Sequence, residues 1–396
     1  MSYYRPNDKE ISRNVVTGLQ RRRPFPRSAA RHPFEALKST IERAADGRVV
    51  YVTFSGGRDS SGILAAAVSL AQERRIPAAV PFTYVYPGLD ESDETEWQEL
   101  VVKHLGVQDW MRLEVVDGEN EYLGPRGSQS LLRRGLVFPA AAHLWADMFE
   151  RTAGGLVLTG EGGDDVFLPK RASALVAGVR GRFRPGSPRR EALWSLAPER
   201  VRRRRARGAS MLDMPWLTDS ARREFLSDAL RDQVHEPLSL RGGLEVLCSA
   251  RFRGAYGQTM TTIAAEYGSV VADPFWHPQF LASYSRHAPY FGYADRTEAM
   301  TAVFGRVLPG EVLSRASKAR FNTAYFGRST REFARDWNGT GVDSELVDVE
   351  KLRQAWLADL VPALVVLLLQ QAWLAQQTGV PSADRGEEGR RAPQVA

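Results

Sequence analysis

The sequence contains a single cysteine, Cys248, among its 396 residues. One cysteine excludes a framework of internal disulfides and any zinc or iron–sulfur site built on cysteine pairs. Residues 1–16 also lack the apolar core of a secretion signal. These absences predict a protein of the reducing cytoplasm.

Long hydrophobic runs are missing as well. The most apolar stretch, residues 360–369, is too short to span a bilayer and contains Pro362. We interpret this stretch as a buried helix. The sequence therefore predicts a soluble protein without a membrane partner.

Two familiar nucleotide-binding patterns are absent. No GxGxxG occurs, and the GxxxxGK[ST] loop is not formed because no lysine follows Gly62. The six histidines show no metal-ligand spacing. A nucleotide site in this chain would have to be built in another way.

The composition provides a hydrophobic fraction of 43% and a formal net charge of +6. Such a fraction allows one large core or two smaller ones. The positive charge favours an anionic partner, and charge alone leaves open whether this is a nucleotide, an acidic peptide or a nucleic acid.

Composition divides the chain into three parts. Residues 1–33 are basic and rich in proline, which predicts an extension that lies across the surface or is partly disordered, with the folded part beginning after it. Residues 34–377 form the predicted folded domain, and residues 378–396 a disordered tail. Within the domain, the arginine-rich residues 180–210 predict an exposed, mobile loop.

Strand and helix patterns alternate four times before residue 160. The β-branched and aromatic residues 49–54 predict a buried parallel strand, and further strands are predicted at residues 79–86, 111–116 and 155–160. The fold class is therefore α/β, with a doubly wound parallel sheet. From about residue 168 to about residue 377 helical patterns dominate, which predicts a mostly helical C-terminal half.

Residues 55–61, SGGRDSS, join the first predicted strand to a helix. Ligands of parallel sheets bind at the carboxyl ends of the strands, and a glycine-rich turn into a helix offers N–H groups to an anion. Gly56 and Gly57 would let the backbone approach phosphates. Three hydroxyl groups could donate hydrogen bonds to phosphate, those of Ser55, Ser60 and Ser61. The stretch resembles the pyrophosphate loop of ATP pyrophosphatases, and the alternative is a plain turn with a serine cap.

A second loop, LTGEGGDDVF at residues 158–167, follows the fourth predicted strand. It brings Glu161, Asp164 and Asp165 close together, and packed carboxylates repel one another unless a cation or a shared proton relieves them. Mg²⁺ held between Asp59 and Asp164 would relieve this repulsion and bind ATP phosphates, leaving Glu161 as an acid or base. The alternative is an acidic helix start stabilised by the helix dipole.

Four segments resemble a known family in their order and spacing: FSGGRDSS, LTGEGGDDVF, DPFWHPQFL and VLPGEVLSRASKARFN. The family is the synthetase half of class B asparagine synthetases, with its relatives the β-lactam synthetases and lasso-peptide cyclases. The resemblance covers residues 34–377. It implies an adenine nucleotide alpha hydrolase-like fold in which ATP activates a carboxylate as an acyl-adenylate that an amine then attacks.

The resemblance also implies roles for individual residues. Asp59 and Asp164 would hold Mg²⁺, and Glu161 resembles the carboxylate that takes part in deprotonating the amine. Lys318 resembles the lysine that stabilises charge at the reacting centre, since a mobile cation can follow negative charge. The predicted ATP-binding residues are Ser55, Gly56, Gly57, Asp59, Ser60, Ser61 and Gly160.

Two features depart from the family. Full-length relatives carry a glutaminase domain whose cysteine follows the initiator methionine, whereas Ser2 stands here and fewer than fifty residues precede the first strand. We therefore expect no glutaminase domain, and an amine that comes from the substrate itself, a second substrate or a separate protein. The family's PFLD is PFWH here, and we expect its His277 to be structural.

The predicted activity is that of an ATP-dependent, AMP-forming carbon–nitrogen ligase. The favoured substrate is a ribosomal precursor peptide of the lasso type, in which an adenylated Asp or Glu side chain is closed by the N-terminal amine to a macrolactam. Residues 213–225 resemble lasso cyclases. A substrate-presenting or leader-processing protein would then be a partner.

Three alternatives stay open. A small-molecule amide synthetase of secondary metabolism would use free ammonia or an amino substrate. A tRNA-modifying enzyme would contact phosphates through residues 200–208, but the chain lacks a cysteine pair for sulfur transfer and interleaved aromatic residues, so a nucleic-acid partner is not expected. A scaffold without turnover would need a broken site, and the predicted site residues are all present.

Overall fold

The structure is a computed structural model that describes residues 2–26, 32–116, 118–179, 188–202, 214–234 and 236–378. Its centre is one sheet of five parallel strands in the order β3-β2-β1-β4-β5. The strands are β1 (Val50–Thr53), β2 (Ala79–Val85), β3 (Met111–Glu114), β4 (Leu156–Leu158) and β5 (Val270–Ala272).

Strand β1 occupies the middle of the sheet. Val50 pairs with Ala79 of β2 on one side and with Leu156 of β4 on the other. The chain runs outward from β1 through β2 to β3, and it later adds β4 and β5 on the opposite side. The strand order thus reverses between β1 and β4, so that the loops after these two strands lie side by side at the carboxyl edge.

The predicted doubly wound parallel sheet is confirmed, and one strand of it was missed. Strand β5 lies in a region where the sequence predicts only helices. It has three residues, all half-buried, and it begins four residues after the last residue of a 16-residue helix. A run this short carries no strand periodicity, and only its pairing with β4 fixes it as a strand.

In the described parts of the chain, α-helices surround the sheet or extend from it. Their bounds are α1 Asp8–Arg13, α2 Pro33–Ala45, α3 Arg58–Gln72, α4 Thr95–Leu105, α5 Pro125–Arg134, α6 Ala142–Arg151, α7 Gly163–Phe167, α8 Ser173–Val179, α9 Pro188–Leu196, α10 Asp219–Val234, α11 Leu240–Ser249, α12 Arg251–Glu266, α13 Pro278–His287, α14 Arg296–Phe304, α15 Gly310–Ser314, α16 Asn322–Tyr325, α17 Arg328–Asp336, α18 Val349–Leu357 and α19 Val366–Thr378.

The described residues bury two hydrophobic cores. The first surrounds the sheet and α3, where Ile63 and Leu64 are fully buried. The second is helical and contains the buried Trp216, Trp337 and Trp356. Residues 365–369 are buried in this second core, as predicted for the apolar run, and the helix begins after Pro362. In the described part of the chain, every helix is too short or too polar to cross a bilayer.

The N-terminal segment differs from its prediction. Residues 8–13 form α1, Ile11 is buried in the second core, and Phe25 is buried in the first. Leu19 forms an antiparallel bridge with Ala250. The expectation that the folded part begins after residue 33 is therefore wrong, because buried apolar side chains attach this segment to both cores.

The arginine-rich stretch is only partly described. Its residues 188–196 form helix α9, which packs against α8, so the prediction of a loop is wrong for this part. The predicted mobility of residues 180–187 and 203–210, and the predicted disordered tail beyond residue 378, lie outside the described residues.

Candidate active site

The loops that follow β1 and β4 are in direct contact. A Cβ atom on Gly160 would lie 3.2 Å from the backbone nitrogen of Ser60, and one on Gly163 would lie 2.2 Å from Cγ of Asp59. Glycine is thus required for the carboxylate of Asp59 to lie against the backbone of the second loop. The strand-order reversal at β1 and β4 brings the two motifs together.

The loop after β1 is braced by its own serines. The hydroxyl of Ser60 donates to the carbonyl of Gly57 at 3.1 Å and accepts from the backbone N–H of Ser55 at 3.3 Å. Gly56 has φ +76°, and a Cβ there would lie 3.1 Å from the backbone nitrogen of Gln98. Gly57 is the N-cap of α3 and has no side chain to accept a hydrogen bond. The first N–H groups of this helix, which have no intrahelical partners, are therefore not capped by a side chain.

Most of the predicted site residues line one cavity of about 650 Å³. They are Ser55, Gly57, Asp59, Ser60, Gly160, Glu161, Asp164 and Lys318. The sequence motifs therefore converge in space, at the carboxyl edge of the sheet where α/β folds bind ligands.

Two predicted residues do not line this cavity. Gly56 shapes the turn and packs on Gln98. Ser61 is fully buried, one turn into the start of α3, and its hydroxyl finds no hydrogen-bond partner among the described residues. This placement corrects the prediction that Ser61 binds phosphate, because the helix turns its side chain into the core.

The carboxylates of Asp59 and Asp164 share one cation. Arg296 bonds Oδ2 of Asp59 at 2.5 Å and also Oδ1 of Asp164. Nζ of Lys318 lies 3.1 Å from the second oxygen of Asp164. Burial opposes ionisation of Asp164, yet Arg296 and Lys318 hold its pKa below the usual range, whereas burial raises the pKa of Asp59.

Glu161 lines the same cavity and is surrounded by other carboxyl groups. Its pKa is raised to about 7, first by burial and then by the nearby charges of Asp273 and Asp165. Burial also raises the pKa of Asp273 to about 6. The hydroxyl of Thr159 bonds both Asp273 and the backbone N–H of Glu161. A carboxyl group with a pKa near neutrality can take up and release a proton under physiological conditions.

Arg315 anchors the segment that carries Lys318 to helix α4 and to the loop after β1. The guanidinium of Arg315 bonds Glu94, donates to the carbonyl of Gly56 at 3.3 Å, and stacks 4.7 Å above the ring of Trp97. Lys318 itself is 81% exposed. Arg315 thus anchors the chain three residues before Lys318, whose ammonium group lies at the mouth of the cavity.

The residues present fit a magnesium ion held together with phosphates. Mg²⁺ in nucleotide sites uses one or two carboxylates plus phosphate oxygens and water. Asp59 and Asp164 supply two carboxylates, and Oδ1 of Asp59 is buried without a hydrogen-bond partner among the described residues. No group of three or more acidic, histidine or cysteine side chains suited to a metal occurs in the described part of the chain, so the nucleotide would have to complete the site.

His277, which replaces the last residue of PFLD, lies outside this cavity. Its ring caps the start of α13 by accepting from the backbone N–H of Gln279 at 3.2 Å. The other contact of the ring is with the hydroxyl of Thr40 at 3.4 Å. The contacts are those of a structural helix cap.

Three residues of the site were missed by sequence reasoning: Asp273, Arg296 and Arg315. Asp273 directly follows β5, so recognising that strand would have placed it at the carboxyl edge. Arg315 lies in the same quoted segment as Lys318. Arg296 lies at the start of α14 with no motif around it, and no signal in the sequence points to it.

Gly163→Ala tests how closely the two loops are packed. The added methyl group would overlap the carboxylate of Asp59, so we expect a lower melting temperature, equivalent to a loss of about 1–3 kcal/mol. Gly257→Ala is the matched control, because a Cβ there meets nothing within 4 Å and alanine is favoured inside a helix. Equal melting temperatures for Gly163→Ala and wild type would contradict the packing described here.

One comparison with known proteins identifies the family of the chain. The family model described as asparagine synthase matches residues 35–375. The chain shows no significant match to a curated protein. The match covers most of the chain, including both loops and the segment of Lys318. The chain therefore belongs to the asparagine synthase family and is, in its general class, an ATP-dependent amide-forming synthetase.

Proposed function

We propose that the protein activates a carboxylate with ATP as an acyl-adenylate and transfers the acyl group to an amine, releasing pyrophosphate and then AMP. The observation that carries this proposal is the convergence of the two loops and Lys318 on one cavity. In the first step a carboxylate oxygen bonds to the α-phosphorus and the bond to pyrophosphate breaks. In the second the amine nitrogen bonds to the acyl carbon, the bond to AMP breaks, and the amine loses a proton.

The chain's own residues supply binding, charge and proton transfer in these steps. The uncapped start of α3 and the serines of its loop would bind the phosphates. Mg²⁺, when bound by Asp59 and Asp164, supplies charge neutralisation of the phosphates. Lys318 would follow negative charge at the reacting centre, and Glu161 would accept the proton of the amine.

The cavity also supports a peptide as the carboxylate substrate. One wall beside Glu161 is built from the buried Met148, Tyr256 and Met260 together with Trp145. In the described lining, Arg296, Arg315 and Lys318 bond carboxylates, whereas Arg58 donates to the carbonyl of Leu313. A free amino acid would bring a second carboxylate, for which this lining offers only Arg58 as a cation without a carboxylate partner. The side-chain carboxyl of a residue within a peptide brings no second carboxylate with it.

The proposed reaction is thus closure of a macrolactam in a ribosomal peptide of the lasso type, with the peptide's own N-terminal amine as nucleophile. Both reacting groups would then belong to one molecule, and holding them in contact gives a large gain in rate. A separate substrate-presenting or leader-processing protein would be the partner of such an enzyme.

The size of the cavity favours a second candidate. About 650 Å³ lies within the range of sites for small molecules, and ATP would fill much of it. A small-molecule amide synthetase that uses ammonia or an amino compound would fit this space as well. The two candidates differ in their amine, because only the peptide needs no second substrate.

Exchange of radiolabelled pyrophosphate into ATP tests the proposal. The protein is incubated with Mg²⁺ and a panel of aspartate, glutamate, small acids and short precursor peptides. We expect exchange that requires one peptide and disappears in Asp59→Asn. Exchange with a small acid and turnover only after adding an amine would support the second candidate. ATP binding without exchange, for every acid with and without a presenting protein, would contradict adenylation.

A further inference from the structure

Arg296 occupies a position between the two loops of the site. It is the first residue of α14, a helix capped by Asp295 and packed against α7. Its guanidinium bonds Oδ2 of Asp59 at 2.5 Å and Oδ1 of Asp164. The side chain is 15% exposed. A single half-buried cation therefore joins a carboxylate from the first loop to one from the second.

This position conflicts with a metal ion bound by the same two carboxylates. A cation between Asp59 and Asp164 would lie close to the guanidinium, and like charges at short distance repel each other strongly. Two further polar atoms lack partners in the described residues, Oδ1 of Asp59 and Nε of Arg296, and both are buried. The carboxylate of Asp59 and the guanidinium of Arg296 thus each keep one polar atom without a hydrogen bond.

We propose that Arg296 is the resident cation of this site, which Mg²⁺ displaces when the nucleotide arrives. Without nucleotide, Arg296 neutralises the carboxylates and holds the two loops together. When phosphates enter, the guanidinium gains an alternative partner of the kind it binds best, and the carboxylates become available to the metal. Arg296 is thus a positioning residue. Only the identity of the displacing ligand, Mg²⁺ with ATP, rests on the proposed function.

The arrangement has a consequence for the order of binding. A divalent metal alone must displace Arg296 without offering it a new partner, so the metal should bind weakly. Metal and nucleotide together satisfy both the carboxylates and the guanidinium. Each ligand should therefore raise the affinity for the other, as reciprocal linkage requires.

Binding of Mn²⁺ in the absence of nucleotide tests the proposal. Free Mn²⁺ is measured by electron paramagnetic resonance in titrations of wild type and of Arg296→Gln. We expect Arg296→Gln to bind Mn²⁺ roughly tenfold more tightly, since the competing cation is gone. In thermal unfolding, the variant should melt below wild type in EDTA and regain most of the difference in millimolar Mg²⁺.

Two further variants separate the ion pairs from mere charge. Arg58→Gln removes an arginine from the same cavity that bonds the carbonyl of Leu313 rather than a carboxylate. It should raise Mn²⁺ affinity much less than Arg296→Gln. Arg296→Lys keeps the charge but lacks the planar fork that bonds the two carboxylates through separate nitrogens, and its Mn²⁺ affinity should fall between those of wild type and Arg296→Gln.

Unchanged or weaker Mn²⁺ binding by a folded Arg296→Gln protein, or an equal gain in Arg58→Gln, would overturn the proposal. These titrations contain no ATP or acyl substrate. A failure of pyrophosphate exchange would therefore count against the proposed function alone and leave the inference on Arg296 intact.

Discussion

Glu161→Gln is expected to slow amide formation by roughly 10²–10⁴-fold, while exchange of pyrophosphate into ATP continues near the wild-type rate. Glutamine keeps the size of the side chain but cannot accept a proton. In the proposed reaction, the carboxylate acts only when the amine attacks, after pyrophosphate has been formed. Separate assays of exchange and of product formation distinguish the two steps.

The pH dependence of amide formation follows from the same residue. The pKa of Glu161 is about 7, so the carboxyl is protonated and inactive as a base below this pH and ionised above it. The rate of amide formation should therefore rise with pH and level off above about pH 7. In Glu161→Gln, this step in the pH profile should be absent.

Asp273→Asn is the matched control, because Asp273 is the neighbouring carboxyl group with a pKa of about 6. This variant should keep a step near neutral pH, shifted downward because one repelling charge is gone. A step that persists in Glu161→Gln and vanishes in Asp273→Asn would move the role of base to Asp273. Loss of exchange in Glu161→Gln would place the residue in nucleotide binding instead.

Lys318→Ala is expected to reduce the rate of adenylation by roughly 10²–10³-fold, the usual cost of removing one group that stabilises transition-state charge. The ammonium group lies at the cavity mouth, 3.1 Å from Asp164. Its 81% exposure means that little packing is lost with it. Affinity for ATP, measured by calorimetry with Mg²⁺, should change far less than the rate.

Arg320→Ala provides the comparison for Lys318. Arg320 carries the same charge two residues further along the same segment, is exposed, and does not line the cavity. Its replacement should leave the rate within about twofold of wild type, as for most surface substitutions. Equal losses in the two variants would show a general effect of charge near the cavity, and an unchanged rate in Lys318→Ala would remove that residue from the reaction.

The part of the fold that can be read from the sequence is the part with strong local periodicity. Strands β1, β2 and β4 are mostly apolar and β3 alternates apolar with charged residues. Amphipathic helices separate these strands, and their parallel order follows from that alternation. Strand β5 has three half-buried residues, and its strand character depends on pairing with β4. The same limit applies to residues 2–26, whose attachment depends on apolar contacts with distant parts of the chain.

The candidate site likewise contains residues that the sequence predicts and residues that only the tertiary structure brings to it. Both loops have sequence motifs whose glycines and acidic residues indicate phosphate or metal chemistry, and these motifs meet as expected. Ser61 was misassigned because a serine one position further into α3 faces the core, and one residue in a helix changes the direction of a side chain by about 100°. Arg296 could not be predicted, since α14 reaches the loops only in the tertiary structure.

The attachment of the N-terminal segment bears on how the protein can be divided experimentally. The family match begins at residue 35, yet Ile11 and Phe25 are each buried in a different core. A fragment that starts at residue 35 would lose apolar contacts in both cores at once, and with them a covalent link between the sheet and the helical half. We therefore expect the smallest fragment that folds on its own to begin well before residue 35, where the family match starts.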